Sequence, residues 1–459
     1  MNFADTVRYL YSLGHELKAG KWDLANMRAL LAELGHPERR GRFIHVAGTN
    51  GKGSTCAMMA SALRVAGFRT GLYTSPHLVD PRERIQIDGH RIAEDAWCRV
   101  FRQVRAAAET LLAQERIPAH PSYFETVTAM AFLAFAAAEV DITVLETGLG
   151  GRLDATNVVT PEVSVITPVD FDHEAFLGSG IPSIAAEKAG ILQAGCPAVF
   201  SLQRPDAMNV LQHRALELDI PVHLSTNWRL QNVRIDRHGS RFTLLADEAL
   251  EIVCPLAGAH QVENARTAVT ALMVAGVPRT AIQQGIARTS WPGRLEWVSH
   301  DPPLILDGAH NPAGARALAL YIQEFFPGEP VRLIFGAMRD KAIGEVTETL
   351  FPLAAEVIIT APDQPRALNP LALAEACGHP HARTAACLGD ALALCAQRPM
   401  TTFISGSLYL VGEARAIFRG NLWNWNATWI AGPATTGTLI SKPMSPVTRW
   451  PILCLRCGI

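Results

Sequence analysis

The sequence contains no run of about 20 uncharged apolar residues, so nothing in it reads as a membrane-spanning helix. Its opening, MNFADTVRYL, lacks the basic segment, apolar run and small-residue cleavage site of a secretory leader. Neither sign of charge prevails. With 41 Lys+Arg against 43 Asp+Glu, the formal charge of -2 leaves no overall positive field for a nucleic-acid backbone or an anionic bilayer. Paired metal-ligand spacing is also missing: the nine cysteines are scattered, and the one CxxC, Cys454 to Cys457, has neither further ligands nor a βαβ setting. These absences point to a cytoplasmic protein with reduced thiols and without a nucleic-acid or membrane partner.

What is present is ordinary globular composition, 49% hydrophobic and 18% charged, over 459 residues, which is enough for two or three domains. RFIHVA (42–47) reads as a strand, GTNGKGS as a glycine loop, and 55–66 as a helix by its apolar spacing. β-type runs follow at 142–146 and 163–167, with a helix-like 124–139 before the first. Alternation of this kind predicts a mostly parallel sheet covered on both faces. The pattern restarts after Arg294, with LILD at 304–307, helical 313–325, VRLIFG at 331–336, helical 343–353 and EVIIT at 356–360. The expected organisation is an α/β P-loop ATPase domain over 1–297, with a β-rich insertion at about 197–255, and a smaller Rossmann-like α/β domain over 298–419. The segment 420–459 has no Asp or Glu, holds four of the nine Trp and shows no periodicity, so it reads as an atypical, disordered tail.

The strand, glycine loop and helix define the first chemical feature. Gly48, Thr49, Asn50, Gly51, Lys52, Gly53 and Ser54 lie where backbone N–H groups and the positive end of a helix converge, which suits a phosphate. Lys52 would neutralise the outer phosphates and Ser54 would offer a hydroxyl to Mg²⁺. The match to GxxxxGK[ST] is imperfect: Val46 stands where the first glycine belongs, and Gly53 separates Lys52 from Ser54. Ser75, Glu146 and His173 fall at strand ends, where loops of an open α/β sheet form the ligand crevice, so together they are candidate metal ligands. Each alone reads equally as a turn serine, a solvated carboxylate or a loop histidine. Lys188 in AAEKAGIL reads by itself as a solvated lysine. Asp307 and His310, in DGAHNP, end a strand and open a helix, and Asn311 suits a helix N-cap.

Eleven motifs occur in order: HVAGTNGKGST, YTSPHL, SYFE, LETGLGGRLDATN, DHEAFLG, EKAGI, ENARTA, PGRLE, DGAHNP, FGAMRDK and SGSLYLV. In this the chain resembles the bifunctional dihydrofolate synthase/folylpolyglutamate synthase family, a branch of the Mur-type ATP-dependent amide ligases, over about residues 1–419. The resemblance implies ATP and Mg²⁺ as cofactors, with dihydropteroate, reduced folate and L-glutamate as small-molecule substrates of a monomeric enzyme. It implies that the loop residues 48–54, with Asn264, Arg294 and Asp307, contact the nucleotide, and that Ser75, Glu146 and His173 ligate magnesium. It further implies that Lys188 is carboxylated, reversing the bland reading of that residue. His310 would accept a proton from the glutamate amine, so Lys52, Lys188, Asp307 and His310 are the implied catalytic set. The pterin would lie near Ser122, Tyr123, Phe124 and Glu125 and near Leu153, Asp154 and Ala155, with a looser match at Asp23 and Leu24. Two domains meeting over one crevice imply hinge motion near 294–301.

Overall fold

The computed structural model describes residues 1–14, 24–339 and 343–419. Asp23 and the segment 420–459 lie outside the described residues. Eight strands form the first sheet: β1 (Arg42–Ala47), β2 (Thr70–Tyr73), β3 (Ile85–Ile87), β4 (His90–Arg91), β5 (Ile142–Glu146), β6 (Val163–Ile166), β7 (Ala198–Phe200) and β8 (Val222–Leu224). Their spatial order is β4-β3-β2-β5-β1-β6-β7-β8. The run from β2 to β8 is parallel, and β3 and β4 add an antiparallel edge. Every residue of β5 and β6 is buried, and all but the first of β1. Strands apolar on both faces require covering on both faces. The helices Lys52–Val65 and Ala259–Val274 cover one side, and Glu94–Ala113 and Tyr123–Ala137 the other.

The expected insertion over 197–255 is wider than the one observed. β7 and β8 belong to the parallel sheet, joined by the helix Pro205–Glu217. At three residues each they are too short to show a period, so in sequence they merge with the alternating segments of the hairpin beyond them. The separate antiparallel sheet comprises only β9 (Arg229–Ile235), β10 (Ser240–Leu245) and β11 (Ala249–Cys254). Its burial alternates strictly in β11, because one face packs on the first domain and the other meets solvent.

The second α/β unit contains β12 (Glu296–His300), β13 (Pro303–Leu306), β14 (Val331–Phe335), β15 (Glu356–Ile359), β16 (Ala382–Thr384) and β17 (Thr401–Ser405), in the order β12-β13-β17-β14-β15-β16. Only β12 runs antiparallel to its neighbour. The turn between β9 and β10 reaches across to this unit. There the Arg237 guanidinium lies 4.5 Å from the Phe326 ring centroid and donates to the Phe325 carbonyl at 2.5 Å. Its own carbonyl accepts from Tyr321 Oη at 2.7 Å and Trp297 Nε1 at 3.2 Å. No described helix is long and apolar enough to cross a membrane.

Candidate active site

The C-terminal ends of the parallel strands of both units open into one cavity of about 730 Å³. Its central feature is the junction of β1 and the helix Lys52–Val65. The turn requires Gly51, whose φ is 83° and where a Cβ would stand 2.2 Å from Asn264 Oδ1. The helix therefore starts at Lys52, inside the glycine loop, rather than at Thr55. The amides of Lys52, Gly53 and Ser54 thus fall in the first turn, where N–H groups lack intrahelical acceptors and the helix dipole is positive. Thr49 and Asn50 differ from the expectation of a uniform cradle: both amides donate to the Pro168 carbonyl, at 2.9 and 3.2 Å. Lys52 Nζ donates to the carbonyls of Gly48 and Thr49 at 3.1 and 3.3 Å.

Around this loop the structure gathers Ser75, Glu146, His173, Lys188, Asn264, Arg294, Asp307 and His310, all of which line the same cavity. Glu146 ends β5, is buried, and accepts from the Ser75 amide at 3.2 Å. Burial pushes its carboxyl up to about 7, against the pull of Lys52 and Arg294. Lys188 lies on the helix Ile181–Ala189, buried rather than solvated, and donates Nζ to the Gly48 carbonyl at 2.8 Å. Burial and the charge of Lys52 bring its amine down to about 7.

The second unit closes the cavity from the other side. Asp307, past the end of β13, accepts from the amides of Leu295 and Ala309 at 3.0 and 2.9 Å. Burial raises its carboxyl while Arg294 opposes the rise, and burial in turn lowers Arg294. His310 Nδ1 lies 2.8 Å from the Gly308 carbonyl, so Nδ1 carries the proton and Nε2, 3.7 Å from Asp172 Oδ2, is the basic nitrogen. Asn311 caps the helix Pro312–Phe325 by accepting from Gly314, and donates to Asn50 Oδ1 at 3.0 Å and Asp172 Oδ2 at 3.3 Å. Arg316 on the same helix reaches Asp170 at 2.9 Å. Polar contacts between the units therefore border the cavity along the start of this helix.

The pterin residues implied by resemblance are not brought into this cavity. Ser122 and Glu125 form a reciprocal capping box on the helix Tyr123–Ala137. Phe124 is core, and Tyr123 stacks on Tyr11 with centroids 5.6 Å apart. Asp154 is engaged by backbone amides, Ala155 is buried and Leu153 half-buried. Leu24 is buried at the N-cap of the helix Ala25–Glu33.

Two cavity residues escaped the sequence reading. Gln261 is wholly buried, donates to Ser54 Oγ at 3.3 Å and accepts from Asn264 at 3.0 Å. Its position one helical turn before Asn264 was the available signal. Asp172, beside His173 in the motif DHEAFLG, is reached from the second unit by both His310 and Asn311.

Residues 46–272 match the Mur ligase middle domain and residues 293–408 the Mur ligase glutamate ligase domain. The Bacillus subtilis dihydrofolate synthase/folylpolyglutamate synthase is 38% identical over 76% of this chain and 84% of its own length. The chain belongs to the dihydrofolate synthase/folylpolyglutamate synthase family.

Within this family, the Lacticaseibacillus casei folylpolyglutamate synthase is 35% identical over 92% of this chain and 99% of its own. Among solved structures, the Mycobacterium tuberculosis folylpolyglutamate synthase complexed with ADP and AMPPCP superposes with a TM-score of 0.83 at 35% identity, covering 90% of this chain and 99% of that one. The Escherichia coli family member in complex with DHPP and ADP gives 0.81 at 30% identity, covering 92% and 98%.

Proposed function

We propose that this cavity carries out ATP-dependent ligation of L-glutamate to dihydropteroate, to the γ-carboxylate of reduced folates, or to both. The reaction is that of the family: glutamate ligation in folate metabolism, driven by ATP. The observation that carries the residue assignments is the convergence of Lys52, with the first-turn amides of its helix, and Asp307 and His310 of the other unit on one cavity. The described cysteines are free thiols, in keeping with a cytoplasmic setting.

A carboxylate does not accept an amine at neutral pH, because the leaving group would be oxide. The substrate carboxylate oxygen therefore attacks the γ-phosphorus of ATP, giving an acyl phosphate and ADP. The glutamate amine then attacks the acyl carbon, and phosphate leaves with the acyl C–O bond broken. Lys52 and the amides of Lys52, Gly53 and Ser54 bear the charge that develops on the phosphoryl oxygens. Arg294 and Asp307 hold the nucleotide from the second unit. His310 Nε2 takes the amine proton, since Nδ1 is committed to the Gly308 carbonyl. Excluding water from the acyl phosphate is the task of the enclosing walls.

Ser75, Glu146 and His173 suit a hard divalent cation: a buried carboxyl pushed up to about 7 needs positive charge to remain ionised at neutral pH, and oxygen and imidazole ligands are at hand. Mg²⁺ held there would neutralise phosphate charge. Lys188, with its amine near neutrality, is suited to react with CO₂: the ammonium loses one proton to free its lone pair and a second as nitrogen bonds to carbon, so that a cation becomes an anion facing the loop.

The test is one assay with ATP, Mg²⁺ and labelled glutamate, offering dihydropteroate and tetrahydrofolate in parallel and reading products by mass. Glutamate joined to either acid, with phosphate release dependent on both substrates, is the expected result. Phosphate release that ignores acid and glutamate would mark a non-ligating NTPase instead.

A further inference from the structure

Beyond Glu146 the chain turns through Thr147, Gly148, Leu149 and Gly150, all of which line the cavity. One buried side chain holds this turn from behind. Asp154 Oδ2 accepts from the amides of Gly148 and Leu149 at 2.8 and 2.9 Å, and Oδ1 from the Thr156 amide at 3.0 Å and its hydroxyl at 2.5 Å. Burial pushes the carboxyl up, and three amides aimed at its oxygens favour the ionised form. An ionised carboxylate only accepts, so the Thr156 hydroxyl hydrogen points at Asp154 and its lone pair faces the other way. Facing it is His45 in β1, wholly buried, with Nε2 at 2.8 Å.

The imidazole must therefore donate from Nε2. Its Nδ1 is buried without a hydrogen-bond partner, and burial holds the ring down to about 3, so it stays neutral and the direction of the chain is set. An apolar residue would fill this place in β1 without the cost of an orphaned nitrogen. Orientation is thus what a histidine contributes here.

The turn has little room to shift. A Cβ on Gly148 would stand 2.5 Å from the Phe124 ring, and one on Gly151 2.9 Å from the carbonyls of Glu187 and Lys188. Movement of the turn in either direction displaces Phe124 or the helix carrying Lys188.

We propose that His45 and Thr156 are positioning residues for the organic-acid substrate: through Asp154 they set the 147–150 turn as the wall that holds the acid beside Lys52 and Glu146. This rests on the ligase reading above, and gives Asp154 the role of supporting that wall.

Steady-state kinetics of the full-length enzyme, with ATP, glutamate and acid varied in turn, test it. Thr156→Val removes the hydroxyl's bonds to both Asp154 and His45, and His45→Leu removes the bond to Thr156. They should raise KM for dihydropteroate or tetrahydrofolate by about tenfold while KM for ATP stays within about twofold. Thr156→Ser keeps the hydroxyl, and His45→Gln keeps a donor near the Nε2 position, so both should recover the wild-type KM. A Thr156→Val enzyme with unchanged KM for the acid overturns the proposal. So does a pair in which Ser and Val behave alike, or a loss in which every KM and the thermal midpoint move together without rescue. Absence of ligation in the wild-type enzyme would instead remove the ligase reading, which keeps the two failures distinct.

Discussion

Lys188 and Lys52 converge on one acceptor, the carbonyl of Gly48, which receives their ammonium groups at 2.8 and 3.1 Å. Two cations sharing one carbonyl repel each other, and the buried member yields its proton more readily. Lys188 is held near 7 against an ordinary 10.5. Its neutral fraction therefore grows as pH rises through 7, and with it the capacity to add CO₂. Labelled bicarbonate should give a carbamate signal that strengthens through that range and is lost in Lys188→Met. Linkage has the same sign: between 7 and 10.5 the unfolded chain binds the extra proton, so Lys188 penalises folding less as pH rises. The wild-type thermal midpoint should gain on that of Lys188→Met over this window.

Lys52→Ala should abolish ligation and leave the fold intact, because its Nζ contacts only loop carbonyls in this structure. Losing a charge that meets developing phosphoryl charge costs several kcal/mol of transition-state stabilisation, of the order of 3 kcal/mol or more. Labelled-glutamate incorporation and a thermal melt together check this. Near-normal incorporation would contradict the assignment.

Glu146 supplies a second pH dependence of opposite sign. Its carboxyl sits near 7 in the fold against 4.5 when free, so the native state binds the extra proton between those values and stability falls as pH rises across them. Glu146→Gln should flatten this component, seen as the difference between the two melting curves. Calorimetry of magnesium-nucleotide binding near pH 7 should show proton release from the wild type and less from the variant.

Asn311 separates two tasks. Asn311→Ala removes the N-cap of the helix Pro312–Phe325 as well as the bonds to Asn50 and Asp172, and should cost about 1 kcal/mol in denaturant unfolding. Asn311→Asp keeps the cap acceptor but loses both donated bonds and places a second carboxylate against Asp172. At this buried position the added charge should destabilise the fold, more so as pH rises and both carboxyls ionise, whereas the loss in Asn311→Ala should not depend on pH in this way; unfolding followed against pH reads the difference.

The alternation of strand and helix was legible because strands buried on both faces are uniformly apolar, and ITVLE and VSVIT stand out from their surroundings. The hairpin of β9 and β10 showed through the alternation of VRIDRHGSRFTLLA. β7 and β8 were not legible as parallel strands, since three residues carry no period. The helix start at Lys52 was hidden because its cap is a glycine in a left-handed conformation, with no side chain to announce it. Asn264, Arg294, Asp307 and Lys188 came together because resemblance supplied what spacing alone did not. Gln261 and Asp172 stayed out of view because each stands next to a more conspicuous neighbour, and only three-dimensional contact shows what it touches.

The grip of Arg237 on Phe325 and Phe326 limits how the two halves can part. A single peptide linker would let the second half swivel freely, like a ball in a socket. A second tether at a distance from it leaves rotation about the line joining the two, as a door turns on a pair of pins. The Asn50–Asn311 hydrogen bond, which also joins the halves, would have to break for them to part.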